Sequence, residues 1–262
     1  MKKYFNQYFR IFKISLMDEM TDRVNFFTWG VVHTVSLLVF IAFFNIVFAQ
    51  VKEINGWSQF QVLLVLGVGT LIGGIGSITF FSFMYDHPRE IRSGNFDFKL
   101  AKPMDVHFQA AFASVDMDDL IVIPNSIVLI VYSLNKLPVQ NLPINVLGFL
   151  ILLSCSMVIL FSILTLLLSL SFRHVRVDSL MDFYWSLVNT TKNPVKAYKT
   201  TSVVLTAMFI PIIMISSVPA EVLFGKFDWP WICGSVIAAV ALFLFSRWKW
   251  QNALADYSSA SS

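Results

Sequence analysis

From Ile144 to Ser171 the chain runs without one charged side chain. Roughly 20 apolar residues in a helix are enough to cross the hydrocarbon of a bilayer, so this stretch alone argues against an ordinary soluble domain. Five other apolar runs are long enough for the same role: 25–48, 60–84, 115–134, 201–218 and 229–247. Composition agrees, because 13% of the 262 residues are charged, against about 25% in a typical soluble domain. The expected fold class is an all-α integral membrane protein with six transmembrane helices, built as one transmembrane domain over 1–262.

Residues 1–22 precede the first run. Phe5, Phe9, Phe12, Leu16 and Met20 recur at helical spacing, with Lys2, Lys3, Asn6, Arg10 and Lys13 on the other face. That pattern predicts an amphipathic helix in the membrane interface, anchored by Phe5, Phe9 and Phe12 and by the basic Arg10 and Lys13. A cleaved signal peptide does not fit, since the segment has no continuous apolar core and Asp18, Glu19 and Asp22 follow.

Within 60–84, Gly69 and Gly73 form a GxxxG pair. Small residues let helices approach closely in a membrane, so this pair predicts tight packing, either inside the chain or at a subunit interface. The run at 115–134 starts with Asp116, Asp118 and Asp119. A carboxylate at the bilayer centre costs roughly 2.5–3.5 kcal/mol on the insertion scale. The trio is therefore expected at the cytosolic edge, as a charged helix cap; the rival reading is a catalytic pair or an ion site. Pro219 and Gly225 bracket a short outer helix or re-entrant segment over 219–229.

Two polar islands remain, 85–105 and 172–200, expected as cytoplasmic connections. With the termini they hold all but three of the 19 Lys and Arg residues, the exceptions being Lys52, Lys136 and Lys226. By the positive-inside rule that side is cytoplasmic, with both termini inside. In the first island Pro88 and Gly94 predict a short helix that starts near the proline and stops at the glycine. His33, inside the first span, is expected to be packed and hydrogen-bonded. The chain has no GxxxxGK[ST] phosphate loop and no HExxH, CxxC or GxSxG motif. It is therefore not expected to be an enzyme by itself.

An interfacial helix, six spans with both ends inside and a charged helix between spans two and three resemble the permease subunits of type-2 ABC exporters. Three local stretches carry the resemblance: Ile54–Ser58 before the second span, Arg89–Pro103 in the first island, and Ile210–Gly225 at the end of the fifth span. The likeness is to a branch of uncharacterised bacterial ABC-2-like permeases. It implies a half-transporter in the bacterial cytoplasmic membrane. Two ABC ATPase subunits and a second permease, identical or paralogous, would be its partners, along with membrane lipids and without nucleic acid. The chain would hold no cofactor; ATP and Mg would sit in the ATPases. His87, Pro88, Arg89, Glu90, Ile91, Arg92 and Ser93 would couple ATP-driven motion to the spans and move an amphiphilic or lipid-like substrate outward. The alternative is an ion-coupled secondary transporter or channel, which calls for ionisable residues near mid-bilayer and for inverted repeats.

Overall fold

The computed structural model of the protein describes residues 2–19, 21, 23–54, 56–172, 178–193, 210, 211 and 213–257. The described elements are helical, with an isolated bridge between Ile54 and Trp57. Helix α1 is Lys2–Glu19 and α2 is Arg23–Gln50. Helix α3, Gln59–Gly76, continues through a π-helical turn at Ser77–Phe81 into α4, Ser82–Ser93. Short helices α5, Asp97–Leu100, and α6, Val106–Ala111, lead to a 3₁₀ turn at Asp118–Ile121 and to α7, Val122–Leu134. Helix α8 is Leu142–Ser169, α9 is Asp178–Thr190, α10 is Val218–Leu223 and α11 is Trp229–Ala255.

Four of the described helices are long and apolar enough to cross a membrane: Val24–Gln50, Gln59–Ser93, Leu142–Phe172 and Trp229–Ala255. Asp119–Leu134 and Ile213–Leu223 are shorter apolar helices. The expected fifth span, 201–218, lies outside the described residues except at 210, 211 and 213–218.

Helix α3 is the centre of the bundle. Every residue from Val62 to Ile72 is buried, with α7, α8 and α9 packed around it. A bilayer supplies no hydrophobic drive between helices, so such a core rests on close van der Waals packing and small residues. Helix α2 lies at the edge: Val24, Phe27, Val31, Leu38, Val39 and Ile46 are all exposed. It is pinned by polar contacts. The Gln59 amide donates to Asn45 Oδ1 at 2.5 Å, and the Asn125 amide donates to Thr34 Oγ1 at 2.8 Å.

Two features depart from the expected outline. Helix α4 does not start at Pro88; it runs through it from Ser82. Phe83, Met84, His87 and Pro88 form a buried stripe at helical spacing. Tertiary burial of that stripe carries the helix past the proline, despite the bond its missing N–H forfeits. The second island, expected as a connection, packs on other helices over its described part. Helix α9 runs antiparallel to α3 and α4. The Trp185 indole donates to Tyr85 OH at 2.7 Å, Val188 lies against Gly73, and the Thr191 carbonyl lies against Gly69. Gly69 is ten residues into α3, about 15 Å from its start at 1.5 Å per residue. Residues 178–193 thus belong to the bundle.

Candidate functional site

The joint between α3 and α7 folds as a small unit. Helices α3 and α4 together span 35 residues, about 50 Å, so the far end of α4 projects beyond a bilayer. Gly94, with φ of 73°, ends α4 in the left-handed conformation that glycine adopts without strain. The chain then turns back, and Lys99 Nζ closes on Glu90 Oε2 at 2.6 Å.

Beneath this turn is an aromatic core. The His87 ring lies 4.7 Å from Trp250, 4.9 Å from Phe172, 5.1 Å from Phe96 and 5.3 Å from Phe83, centroid to centroid. Trp250 belongs to α11, so the joint is fastened to the last helix. Two polar ties reinforce the fastening. Arg247 pairs with Asp105, which also caps α6 by accepting from the Phe108 amide at 2.9 Å. The Tyr257 hydroxyl donates to Asp97 Oδ1 at 3.3 Å. Burial alone would raise the Asp105 carboxyl, but the bonds from Arg247 and Phe108 outweigh it and hold the carboxyl below its ordinary range.

His107 stacks on Phe161 at 5.3 Å and shares a 3.1 Å hydrogen bond with Thr165. Burial, reinforced by the Arg247 charge, lowers its pKa to about 4. The unfolded chain takes up that proton nearer 6.5. His107 therefore contributes stability that is fully present above about pH 6.5 and is lost as pH falls toward 4. The expected result is a lower melting temperature at pH 5 than at pH 7.5, with a smaller difference in His107→Gln. An equal difference in both proteins would refute the assignment.

The seven coupling residues expected from the sequence divide into two sets. His87 is fully buried and Pro88 is buried, so both belong to the core of the joint and neither presents a contact surface. Arg89, Arg92 and Ser93 are exposed, with Glu90 and Ile91 half-buried between them. Phe98, 71% exposed, and Leu100 extend this surface. Sequence reasoning missed Phe98, although its place in a polar turn outside the spans was a usable signal.

In helix α1, expected at the membrane interface, the side chain of Phe5 lies outside the described residues. Phe12 packs inward with Tyr8, Ile11 and Leu16 against Ile78, Val115 and Met117. Phe9, Arg10 and Lys13 are exposed. The helix thus braces the start of α7 with one face and leaves Phe9 and the basic residues to the surroundings.

The GxxxG glycines differ from each other. A Cβ on Gly69 would lie 2.4 Å from the Thr191 carbonyl oxygen, whereas one on Gly73 would meet Val188 Cγ1 at an ordinary 3.6 Å. Of the three aspartates, the Asp118 side chain lies outside the described residues and Asp116 is half-buried. Asp119 pairs with His33 at 2.5 Å. That pair lines a cavity of about 220 Å³ between α2, α3, α7 and α9, together with Thr70, Asn125, Asn189 and Lys192. Asp119, expected as part of a charged helix cap, therefore pairs with a histidine ten residues into α2 and shares a cavity with Lys192.

Residues 33–261 match the family model described as ABC-2 family transporter protein. No curated protein and no solved structure matches the chain.

Proposed function

The chain belongs to the ABC-2 transporter family, and from that premise we propose that it is the permease half of an ATP-driven exporter in a bacterial cytoplasmic membrane, with both termini inside. Two separate ABC ATPase subunits and a second permease, identical or paralogous, complete the machine. ATP and Mg are held by the ATPases, and this chain does no chemistry itself. The cargo is amphiphilic and moves outward.

The observation that carries the reading is the construction of the joint. It is a charged tip, Arg89 and Arg92 beside Phe98, on a helix continuous with the central span and packed on the last one. A push on that tip is transmitted to α3 and α11 together, because the aromatic core leaves no slack between them. Guanidinium groups at the tip suit charge-assisted bonds to a carboxylate-bearing partner surface. Replacing Arg89 and Arg92 by alanine is expected to lower ATPase co-purification at least tenfold and to abolish ATP-dependent transport, with the melting temperature of the permease unchanged. Full retention of binding and coupling would remove the joint from this role.

One observation favours the ion-coupled alternative: His33, Asp119 and Lys192 line one cavity, with His33 paired to Asp119. Transport that survives ATP depletion but collapses with the proton gradient would decide for it.

A further inference from the structure

We infer that the groove between α8 and α11 binds one acyl chain of a phosphoethanolamine lipid, with the Asp105–Arg247 pair as the seat of its headgroup. The site uses none of the residues of the charged tip and needs neither an ATPase nor a cargo, so it goes beyond the exporter reading.

Two hollows form the groove. One, of about 310 Å³, is walled by Phe80, Phe112, Met157 and Phe161 and carries Asp105 and Arg247 in its lining. The other, of about 350 Å³, is lined by Ser154, Cys155, Val236, Ala239 and their neighbours, with no charged residue. Val158 and Phe243 line both, so the hollows meet. Small side chains make the room, since Ser154 and Cys155 of α8 face Val236 and Ala239 of α11. Val240 and Leu244 are exposed along the seam, so the groove opens sideways, toward lipid.

Length, polarity and charge select the ligand. From Val236 to Arg247 the groove follows α11 for eleven residues, about 16 Å at 1.5 Å per residue. Each leaflet takes about half of a hydrocarbon layer of roughly 30 Å, so one acyl chain fills that length. Helix α11 has no charged side chain from Trp229 to Ser246, and Arg247 is its first. The groove is therefore apolar along its run and charged at one end, as a lipid is. The charged and titratable groups lining that end are Asp105, Arg247 and His107. Arg247 donates to both carboxylate oxygens of Asp105, and the two side chains stay 36% and 31% exposed. His107, with its pKa at about 4, is neutral near pH 7. Lys249 is not in the lining; it stands over the Trp248 ring, 4.9 Å from its centroid. Among the described residues the end of the groove is thus neutral in sum but offers both signs. A purely anionic headgroup beside Arg247 would also meet the Asp105 carboxylate. A phosphate against Arg247 and an ammonium donating to Asp105 satisfy both groups.

The test uses the purified full chain in neutral maltoside micelles. The probe is phosphatidylethanolamine with a diazirine at the end of one acyl chain, and its cross-links are mapped by mass spectrometry. Saturable labelling is expected over 154–158 and 236–240, where the tail ends. Labelling of the exposed face of α2, expected not to saturate, measures ordinary lipid contact in the same sample. Unlabelled phosphatidylethanolamine is expected to compete about tenfold better than phosphatidylglycerol, the effect of one charge-assisted hydrogen bond. Inorganic phosphate is expected not to compete. Val158→Trp, which fills the point where the hollows meet, is expected to lose the groove labelling and keep that of α2. Asp105→Asn retains a side chain able to cap α6 and removes the carboxylate beside Arg247, so the preference is expected to reverse toward phosphatidylglycerol. Groove labelling that saturates no better than that of α2, or equal competition by the two lipids in the wild type, overturns the proposal, and both are read without any variant. A chain that runs as a dimer and shows groove labelling only after dissociation also overturns it, and makes the seam an interface between two copies.

Discussion

Gly69→Ala is expected to lose about 3 kcal/mol of stability, while Gly73→Ala, four residues away in the same motif, is expected to change it by less than about 0.5 kcal/mol. The asymmetry comes from what each new methyl group meets. At Gly69 it would stand 2.4 Å from the Thr191 carbonyl oxygen, 2.8 Å from its carbon and 2.9 Å from Lys192 Cα, all backbone atoms. Backbone does not swing aside as a side-chain tip does, so α9 must move off α3. At Gly73 the neighbour is a valine methyl at 3.6 Å, which is already normal contact. For a chain of this size the first change corresponds to several degrees in melting temperature, measured on purified protein in detergent. Equal effects at the two glycines would mean that the described contact of α9 with α3 does not form in the protein.

That pair also shows where the sequence ran out. Apolar run length and helical periodicity identify α2, the long α3–α4 helix, α8 and α11, because each contains enough consecutive apolar residues to state its environment. The GxxxG pair is visible as well, but spacing cannot say which glycine meets backbone. The packing of α9 on α3 was illegible for a specific reason. Its apolar positions Leu180, Phe183, Tyr184 and Leu187 are legible at helical spacing, yet Arg173, Arg176, Lys192, Lys196 and Lys199 around it read as a cytosolic island. Charge counting reads a lysine as solvated, whereas the surroundings of Lys192 are set by tertiary contacts. The polar partners His33, Asp119 and Asn189 lie 159, 73 and 3 residues away in the chain, and only the last is local. The buried aromatic core of the joint was illegible on similar grounds. His87 and Trp250 are 163 residues apart in the chain, and a histidine in a polar island reads as a surface contact until its neighbours are known.

The joint provides the other large effect. Trp250→Ala is expected to lower stability by about 3–5 kcal/mol, on the order of 10 °C in melting temperature. It would also uncouple ATP hydrolysis from transport in whatever fraction still folds. Trp250 is 1% exposed and stands within 5.0 Å of His87, His107 and Phe172, centroid to centroid. Its removal opens a hole where α4, α6 and α11 converge, and the joint could then tilt without moving the last helix. His87→Phe tests whether packing or a polar role holds this core together. Both His87 ring nitrogens are buried with no hydrogen-bond partner among the described residues. A buried polar atom without a partner is itself destabilising, by about 1–3 kcal/mol, so a phenyl ring of similar size is expected to leave stability unchanged or raise it. If the core acts as a rigid link, His87→Phe transports normally and Trp250→Ala does not. A His87→Phe variant as damaged as Trp250→Ala would mean that the imidazole nitrogens take a partner during the transport cycle, and that the link is a polar switch instead of a packed hinge block.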